Sequence, residues 1–498
     1  MADPLTQLSP ELAELVEPFD DHNRKLISHV HPTDWVNPEP ADRYHMVVIG
    51  GGTAGLVSAA GAAGLGAKVA MVERRMLGGD CLNYGCVPSK AIIRAARAWQ
   101  EARDAREKFG APPVTGDGDF AKVMERMRDL RAGISHHDSA QRFKDLGVDV
   151  FIGDGRFVAS DAAEVDGKRL RFRRAVVASG ARPLELPIPG LGETGYLTNE
   201  TVFTLTELPR RIAVIGGGPI GCELAQSFAR FGSEITLFDM APHVLIREDV
   251  ALSAKIVRVE NGTGGKVVVT EAEGGAETRH EVDEILVAVG RVPNTEGMGL
   301  EAAGVDFTKF GVTVNDKLQT SNRRIYAVGD VASKFKFTHT ADALARIAIQ
   351  NALFFGRAKA SDLVIPWCTY TSPEIAHVGM YESDAKEAGI EVDTTTLQLS
   401  DVDRAILEGS DDGFLRLHLK KGTDQILGAT LVAEHAGDTL SELYLAVTHK
   451  VGLGKIASVI HPYPTQGEVI KKAADAWRRT KLTPGVQKAF ATFFKIFK

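Results

Sequence analysis

His45-Met46-Val47-Val48-Ile49-Gly50-Gly51-Gly52-Thr53-Ala54-Gly55-Leu56 decides the fold. An uninterrupted apolar run, a cluster of glycines and an alanine-rich continuation read as a buried strand, a tight turn and a closely packed helix. Gly50, Gly52 and Gly55 form a G-x-G-x-x-G set. That spacing lets the backbone approach a pyrophosphate while the helix N-terminus stabilises its charge. The next strand, Lys68 to Glu73, ends in an acid, so Glu73 is placed to accept hydrogen bonds from a ribose. Strand, turn, helix, strand and acid in this order favour a dinucleotide site over a merely tight turn.

The pattern occurs twice. Arg211 to Glu223 repeats it with Gly216, Gly218 and Gly221, and the strand Glu234 to Phe238 is followed by Asp239. Two complete units imply two dinucleotides, one of which can be a fixed flavin and the other a nicotinamide.

Between the two units lies Gly78-Gly79-Asp80-Cys81-Leu82-Asn83-Tyr84-Gly85-Cys86-Val87-Pro88-Ser89-Lys90, which holds half of the four cysteines. The C-x4-C spacing differs from that of zinc ribbons, and no His lies nearby, so no metal site is expected. A thiol pair beside an electron donor can form a redox-active disulfide. Two small buried hydrophobes are the other reading of the same residues. Cys222 and Cys368 are single thiols, read as packing.

The 498 residues are 44% apolar and 25% charged, which suits a soluble globular chain of two to four domains. A net charge of −7 without a long basic block argues against nucleic acid as a partner. Four cysteines do not make an extracellular disulfide framework. Met1 to Asp21 lacks a basic region followed by an apolar core, so a cytoplasmic location is expected. Met46 to Ala67 is uncharged and long enough to span a bilayer, but its glycines and alanines fit the strand, turn and helix better, and no membrane span is expected. Residues 1–42 form a polar extension, a packing arm or a loose tail, to which no chemistry is assigned.

With these motifs in place, the chain resembles the pyridine nucleotide-disulfide oxidoreductase family, class I, and within it the dihydrolipoamide dehydrogenase-like and mercuric reductase-like branches. The resemblance is carried by Gly78 to Lys90, by both glycine motifs, by Glu284 to Asn294, by Arg324 to Asp330 and by His461-Pro462. It implies an α/β fold with two Rossmann-like dinucleotide-binding domains and a C-terminal α+β dimerisation domain. The implied boundaries are 43–195 with 291–360 for FAD, 196–290 for NAD(P), and 361–498 for the dimerisation domain and its tail.

By the same resemblance FAD is held by Gly50, Gly52, Gly55, Glu73, Lys90, Gly155, Ser179, Gly180 and Asp330. The nicotinamide cofactor is held by Gly216, Gly218, Gly221, Asp239 and Gly290, and Asp239 favours NADH over NADPH because a carboxylate repels a 2′-phosphate. Cys86 is implied as the flavin-facing thiol and Cys81 as the interchange thiol. Lys90, held by Glu223, is implied near the flavin edge. The chain is implied to act as a homodimer on a small-molecule disulfide or thiol-bound acceptor, with His461 of the partner subunit as acid–base. Where the family has a ring-orienting Glu, this chain has Gln466, a weaker partner for an imidazolium.

Two stretches depart from the pattern. Only Met240 to Ala254 separate Asp239 from the next strand, too few for a crossover and a return strand, so the nicotinamide domain is expected to be shortened. Either it still takes NADH, or the protein is a dimeric flavin-binding protein with impaired NAD(P)H turnover. The end, Gly485 to Lys498, has no cysteine, whereas mercury-handling relatives commonly carry a pair there. Its phenylalanines and lysines are expected to pack on the dimer, with contact to an acidic membrane surface as the alternative.

Overall fold

The computed structural model describes residues 8–116, 118–240, 244–245, 255–262, 264–271 and 277–497, and the chain forms two compact units, 1–362 and 363–498. In the first unit, Tyr44–Ile49 is a central strand of a seven-stranded sheet. Met46, Val47 and Val48 are fully buried, as a strand covered on both faces requires. Its parallel neighbours are Val69–Glu73, with Ile49 opposite Val72, and Lys168–Val177, with Ile49 opposite Val177. Val148–Ile152 extends the sheet on one side, and Ile325–Ala327 pairs with Lys168–Val177 on the other. A strand from far along the chain thus completes the first sheet.

The helices Thr53–Gly64 and Thr338–Leu353 pack against each other beneath this sheet. They approach closely at Gly61, where a Cβ would lie 2.7 Å from Ile349 Cδ1. The leader is a packing arm. Its helix Asp21–Val30 buries Asn23, whose Nδ2 donates to Val16 O at 2.8 Å and whose Oδ1 accepts from Arg131 Nη2 at 2.7 Å. Trp35 Nε1 donates to Val150 O at the edge of the sheet.

The second glycine motif builds a parallel sheet in the order Glu284–Val287, Arg211–Ile215, Glu234–Phe238. Among the described residues the sheet stops at Glu234–Phe238. Lys255–Gly262 does not return to it and pairs antiparallel with Gly265–Glu271, which pairs in turn with Glu277–Val282. Most of the segment expected to have lost an element, 241–243 and 246–254, lies outside the described residues. One apolar cluster joins Ile92 and Met124 to Val214, Leu224 and Phe228, tying the first domain's long helices to the second motif.

The second unit is a five-stranded antiparallel sheet, Trp367–Thr369, Glu374–Gly379, Ile426–Ala433, Phe414–Lys420 and Val392–Gln398 in spatial order. Its core sets Val378, Leu417 and Leu431 against Leu443, Val469 and Ile470 of the helices Ser441–Thr448 and Glu468–Thr480. A last helix, Pro484–Ile496, buries no residue. No helix among the described residues is long and apolar enough to cross a membrane.

Candidate active site

The two glycine turns separate residues the fold needs from residues it does not. Gly50 and Gly216 have φ of +110° and +111°, where an L side chain is strained. A Cβ on Gly55 would lie 1.8 Å from Gly50 O, and one on Gly221 would lie 1.9 Å from Gly216 O. The middle glycines differ. Gly52 and Gly218 have ordinary φ of −77° and −74°; among the described residues the nearest atom to a Cβ on Gly52 is 3.7 Å away, and nothing lies within 4 Å of one on Gly218. These two hydrogens leave room for something outside the chain. Neither helix that starts there has a side-chain cap, so first-turn N–H groups remain for an anion.

Each acid closes its own turn. Glu73 Oε2 accepts from Gly51 N at 2.6 Å and Oε1 from Arg75 N at 2.7 Å, while burial pushes the carboxyl above its ordinary value. Asp239 Oδ2 accepts from Gly217 N at 2.5 Å. A carboxylate has about four acceptor sites, so both keep capacity for ribose hydroxyls.

A third loop converges on the first turn. Gly329–Val331 is a short helical turn in which burial pushes the Asp330 carboxyl up, with Arg291 Nε 3.6 Å from it. Thr340 Oγ1, buried in the first turn of Thr338–Leu353, has no hydrogen-bond partner among the described residues. Ser179 Oγ donates to Asn294 O at 2.7 Å, and Asn294 Nδ2 donates back to Ser179 O, so this side chain ties the crossover strands together. Gly180 and Gly290 have φ of +71° and +56° at the same crossover. Gly155 sits against the sheet, where a Cβ would lie 2.8 Å from Val72 Cγ1. The open middle glycines, the uncapped helix starts, the inturned acids and the orphaned threonine fit a dinucleotide in each half.

The cysteine stretch is largely helical. Cys81 lies in the turn Gly79–Asn83, and Cys86 is the first residue of the helix Cys86–Phe109. The stretch is seated on the first glycine turn: Gly78 N donates to Gly51 O at 2.9 Å, and a Cβ on Gly79 would lie 2.6 Å from Gly52 Cα. Arg291 Nη1 and Asn199 Nδ2 hold Asp80, each at 3.0 Å. Cys81 is partly buried and Cys86 exposed.

Cys86 Sγ lies 3.3 Å from Thr338 Oγ1. Hydrogen bonding from Cys81, then from Thr338, and the charge of Lys90 lower the Cys86 thiol to about 6, against desolvation. The same bond to Cys86, with burial, pushes the Cys81 thiol up. Lys90 Nζ stands 2.9 Å from Glu223 Oε2, and Glu223 is buried in the helix after the second glycine turn. Cys81, Cys86, Lys90 and Glu223 are therefore brought together. Thr338, the first residue of the helix Thr338–Leu353, joins them although no sequence motif singled it out. Burial raises the Cys222 thiol to about 11, which suits packing and not nucleophilic attack. No group of three His, Cys, Asp or Glu among the described residues is placed to hold a metal.

In the second unit, His461 Nε2 lies 2.9 Å from Glu442 Oε2. The sequence pointed to position 466 for the group beside this ring. Gln466 instead accepts from Val469 N through its main-chain oxygen, and the carboxylate at the ring comes from the helix Ser441–Thr448. A five-residue spacing in the sequence cannot show a partner supplied by a neighbouring helix.

Residues 44–345 match the family described as pyridine nucleotide-disulphide oxidoreductase, and residues 365–474 match the dimerisation domain of that family. The chain is 36% identical over 448 residues to a mercuric reductase of Staphylococcus aureus, covering 86% of this chain and 82% of the relative. It is 32% identical over 469 residues to a dihydrolipoyl dehydrogenase of Bacillus subtilis, covering 87% and 98%. Its fold is similar to that of the HOCl-induced flavoprotein disulfide reductase RclA from Escherichia coli, with a TM-score of 0.77 and 26% identity over 86% of this chain and 99% of that one. Two seated glycine turns, a thiol pair locked onto the first and matches over both units lead to one conclusion: the chain belongs to the pyridine nucleotide-disulfide oxidoreductase family, enzymes of α/β fold.

Proposed function

We propose that the protein is a homodimer that moves two electrons from NADH to a small disulfide or thiol-liganded acceptor through Cys81 and Cys86. The observation that carries this reading is the seat of the thiol pair: Gly79 rests on Gly52 of the first glycine turn, while Lys90 reaches Glu223 of the second motif. FAD, held by the first turn, Glu73 and Asp330, supplies the two-electron relay between nicotinamide and thiols. Asp239 holds the adenosine ribose of NADH and disfavours a 2′-phosphate.

The thiol steps follow from the residues. Cys81 gives its proton to His461 of the partner subunit and attacks one sulfur of the acceptor, forming a mixed disulfide as the acceptor's S–S bond breaks. The leaving thiolate takes a proton from His461 of the partner subunit, whose ring is oriented by Glu442. Cys86, already favoured as thiolate by Cys81, Thr338 and Lys90, attacks Cys81 Sγ and expels the second thiol, leaving a Cys81–Cys86 disulfide. NADH then restores both thiols. The sum is acceptor disulfide, NADH and one proton giving two thiols and NAD⁺.

The names of the relatives support an acceptor that a thiolate can approach, either a disulfide or a soft metal ion on thiols. Anaerobic titration tests the core of the reading: NADH should bleach the flavin absorbance and free two thiols, with NADPH much slower. A flavin that stays oxidised with both nicotinamides, yet is reduced by dithionite, would refute it. That outcome would favour the second reading, a flavin-binding dimer with impaired turnover, which the parallel sheet ending at Glu234–Phe238 among the described residues supports. Lipoamide, glutathione disulfide and mercuric ion, tested in turn, assign the acceptor.

A further inference from the structure

The last stretch of the chain is built unlike the rest of it. From Ala476 to Lys498 the sequence has six basic residues, Arg478, Arg479, Lys481, Lys488, Lys495 and Lys498, and no acidic one. The family's dimerisation domain ends its match at residue 474, so this stretch lies outside it. Every residue from Arg478 to Phe497 is exposed.

Among the described residues, no residue of the helix Pro484–Ile496 is buried by another element. Thr483 caps it by accepting from Val486 N, and Pro484 occupies its first turn. Phe493 packs on Phe494 and Phe497, with ring centroids 5.7 and 4.4 Å away. Val486, Phe490, Phe493, Phe494 and Phe497 recur at i, i+4, i+7, i+8 and i+11, which is one stripe of a helix. Phe490, Phe494 and Phe497 are 51%, 66% and 71% exposed. Lys488 and Lys495, seven positions apart, fall together on the opposite side.

We propose that this helix is an interfacial anchor that lays its phenylalanines into the headgroup boundary of an anionic lipid bilayer. A helix with an aromatic stripe and a cationic face lies in the plane of such a surface. Unbroken positive charge selects the occupant. A second copy packed stripe to stripe would gather two sets of six cations with no acid between them, whereas anionic headgroups attract each of them. The tail holds no residue of the thiol or nucleotide sites, so membrane binding and disulfide chemistry stand or fall separately.

Co-sedimentation of the full chain with vesicles tests the anchor. Binding to phosphatidylglycerol–phosphatidylcholine vesicles should exceed binding to phosphatidylcholine vesicles by at least about tenfold and weaken at high salt. Phe493→Ser with Phe497→Ser, and separately Lys488→Glu with Lys495→Glu, should each lower it by about tenfold or more. Both variants should keep NADH reduction and the sedimentation mass of the lipid-free protein. No binding to anionic vesicles, or equal binding to neutral ones, overturns the proposal. A drop in lipid-free mass for the phenylalanine variant also overturns it and assigns the stripe to a second copy.

Discussion

Glu442 Oε2 lies 2.9 Å from His461 Nε2, so the imidazole that the family pattern leaves without its carboxylate at position 466 has one from a neighbouring helix. Replacing Glu442 by Gln keeps the shape and removes the charge. Disulfide turnover should fall by about tenfold, less than the roughly 10²–10⁴-fold that an acid–base group itself contributes, because Glu442 acts only through the ring. Reduction by NADH in the absence of acceptor should be unchanged. Adding Gln466→Glu should restore part of the loss. Equal slowing of both half-reactions would show that Glu442 serves the fold and not the ring.

The Cys86 thiol is lowered to about 6 by Cys81, Thr338 and Lys90. A thiol with a depressed value is protonated only below it, so alkylation of Cys86 by iodoacetamide should rise through pH 6 and level off by neutrality. An unperturbed cysteine rises nearer pH 8.5. Cys81→Ala removes the strongest of these donors and should shift the curve upward, cutting the rate at pH 6.5 by about tenfold. Thr338→Val should shift it the same way by less. A midpoint that stays near 8.5 in the parent protein would sink this assignment.

The glycines divide into two kinds that substitution can tell apart. Gly55→Ala drives a Cβ to 1.8 Å from Gly50 O and should damage the apoprotein itself, seen as low soluble yield and an early unfolding midpoint. Gly52→Ala meets nothing closer than 3.7 Å and should fold normally, yet purify with little flavin. Gly218→Ala should keep its flavin and raise the KM for NADH by about tenfold or more, since its Cβ meets nothing within 4 Å among the described residues. Full flavin content in Gly52→Ala would remove the first turn from the pyrophosphate site.

Asn23 measures how firmly the leader belongs to the first unit. It is fully buried and bonded to Val16 O, Pro18 O and Arg131 Nη2. Asn23→Ala strips an acceptor from a buried guanidinium and should cost about 2–4 kcal/mol in urea unfolding of the flavin-loaded protein. A change below about 0.5 kcal/mol, the level of an ordinary surface substitution, would mean that the arm adds nothing to stability.

The chain's own order of residues determined what depends on short spacing. Gly50, Gly52, Gly55 and Glu73, their repeat from Gly216 to Asp239, and Cys81 with Cys86 are all legible because one turn, one helix start and one strand end carry the chemistry within about twenty residues. Resemblance extended that reading to the fold and the family. Tertiary structure decided the pairings that join distant segments. Glu442 comes to His461 from another helix, Thr338 reaches Cys86 across more than two hundred residues, and Ile325–Ala327 closes a sheet begun at Tyr44. Such contacts leave no periodicity in the sequence, because a side-chain partner is fixed by where two elements pack and not by how far apart they are written. The same reason explains the middle glycines: only the packed turn shows that Gly55 is held by the protein and that Gly52 is left open among the described residues.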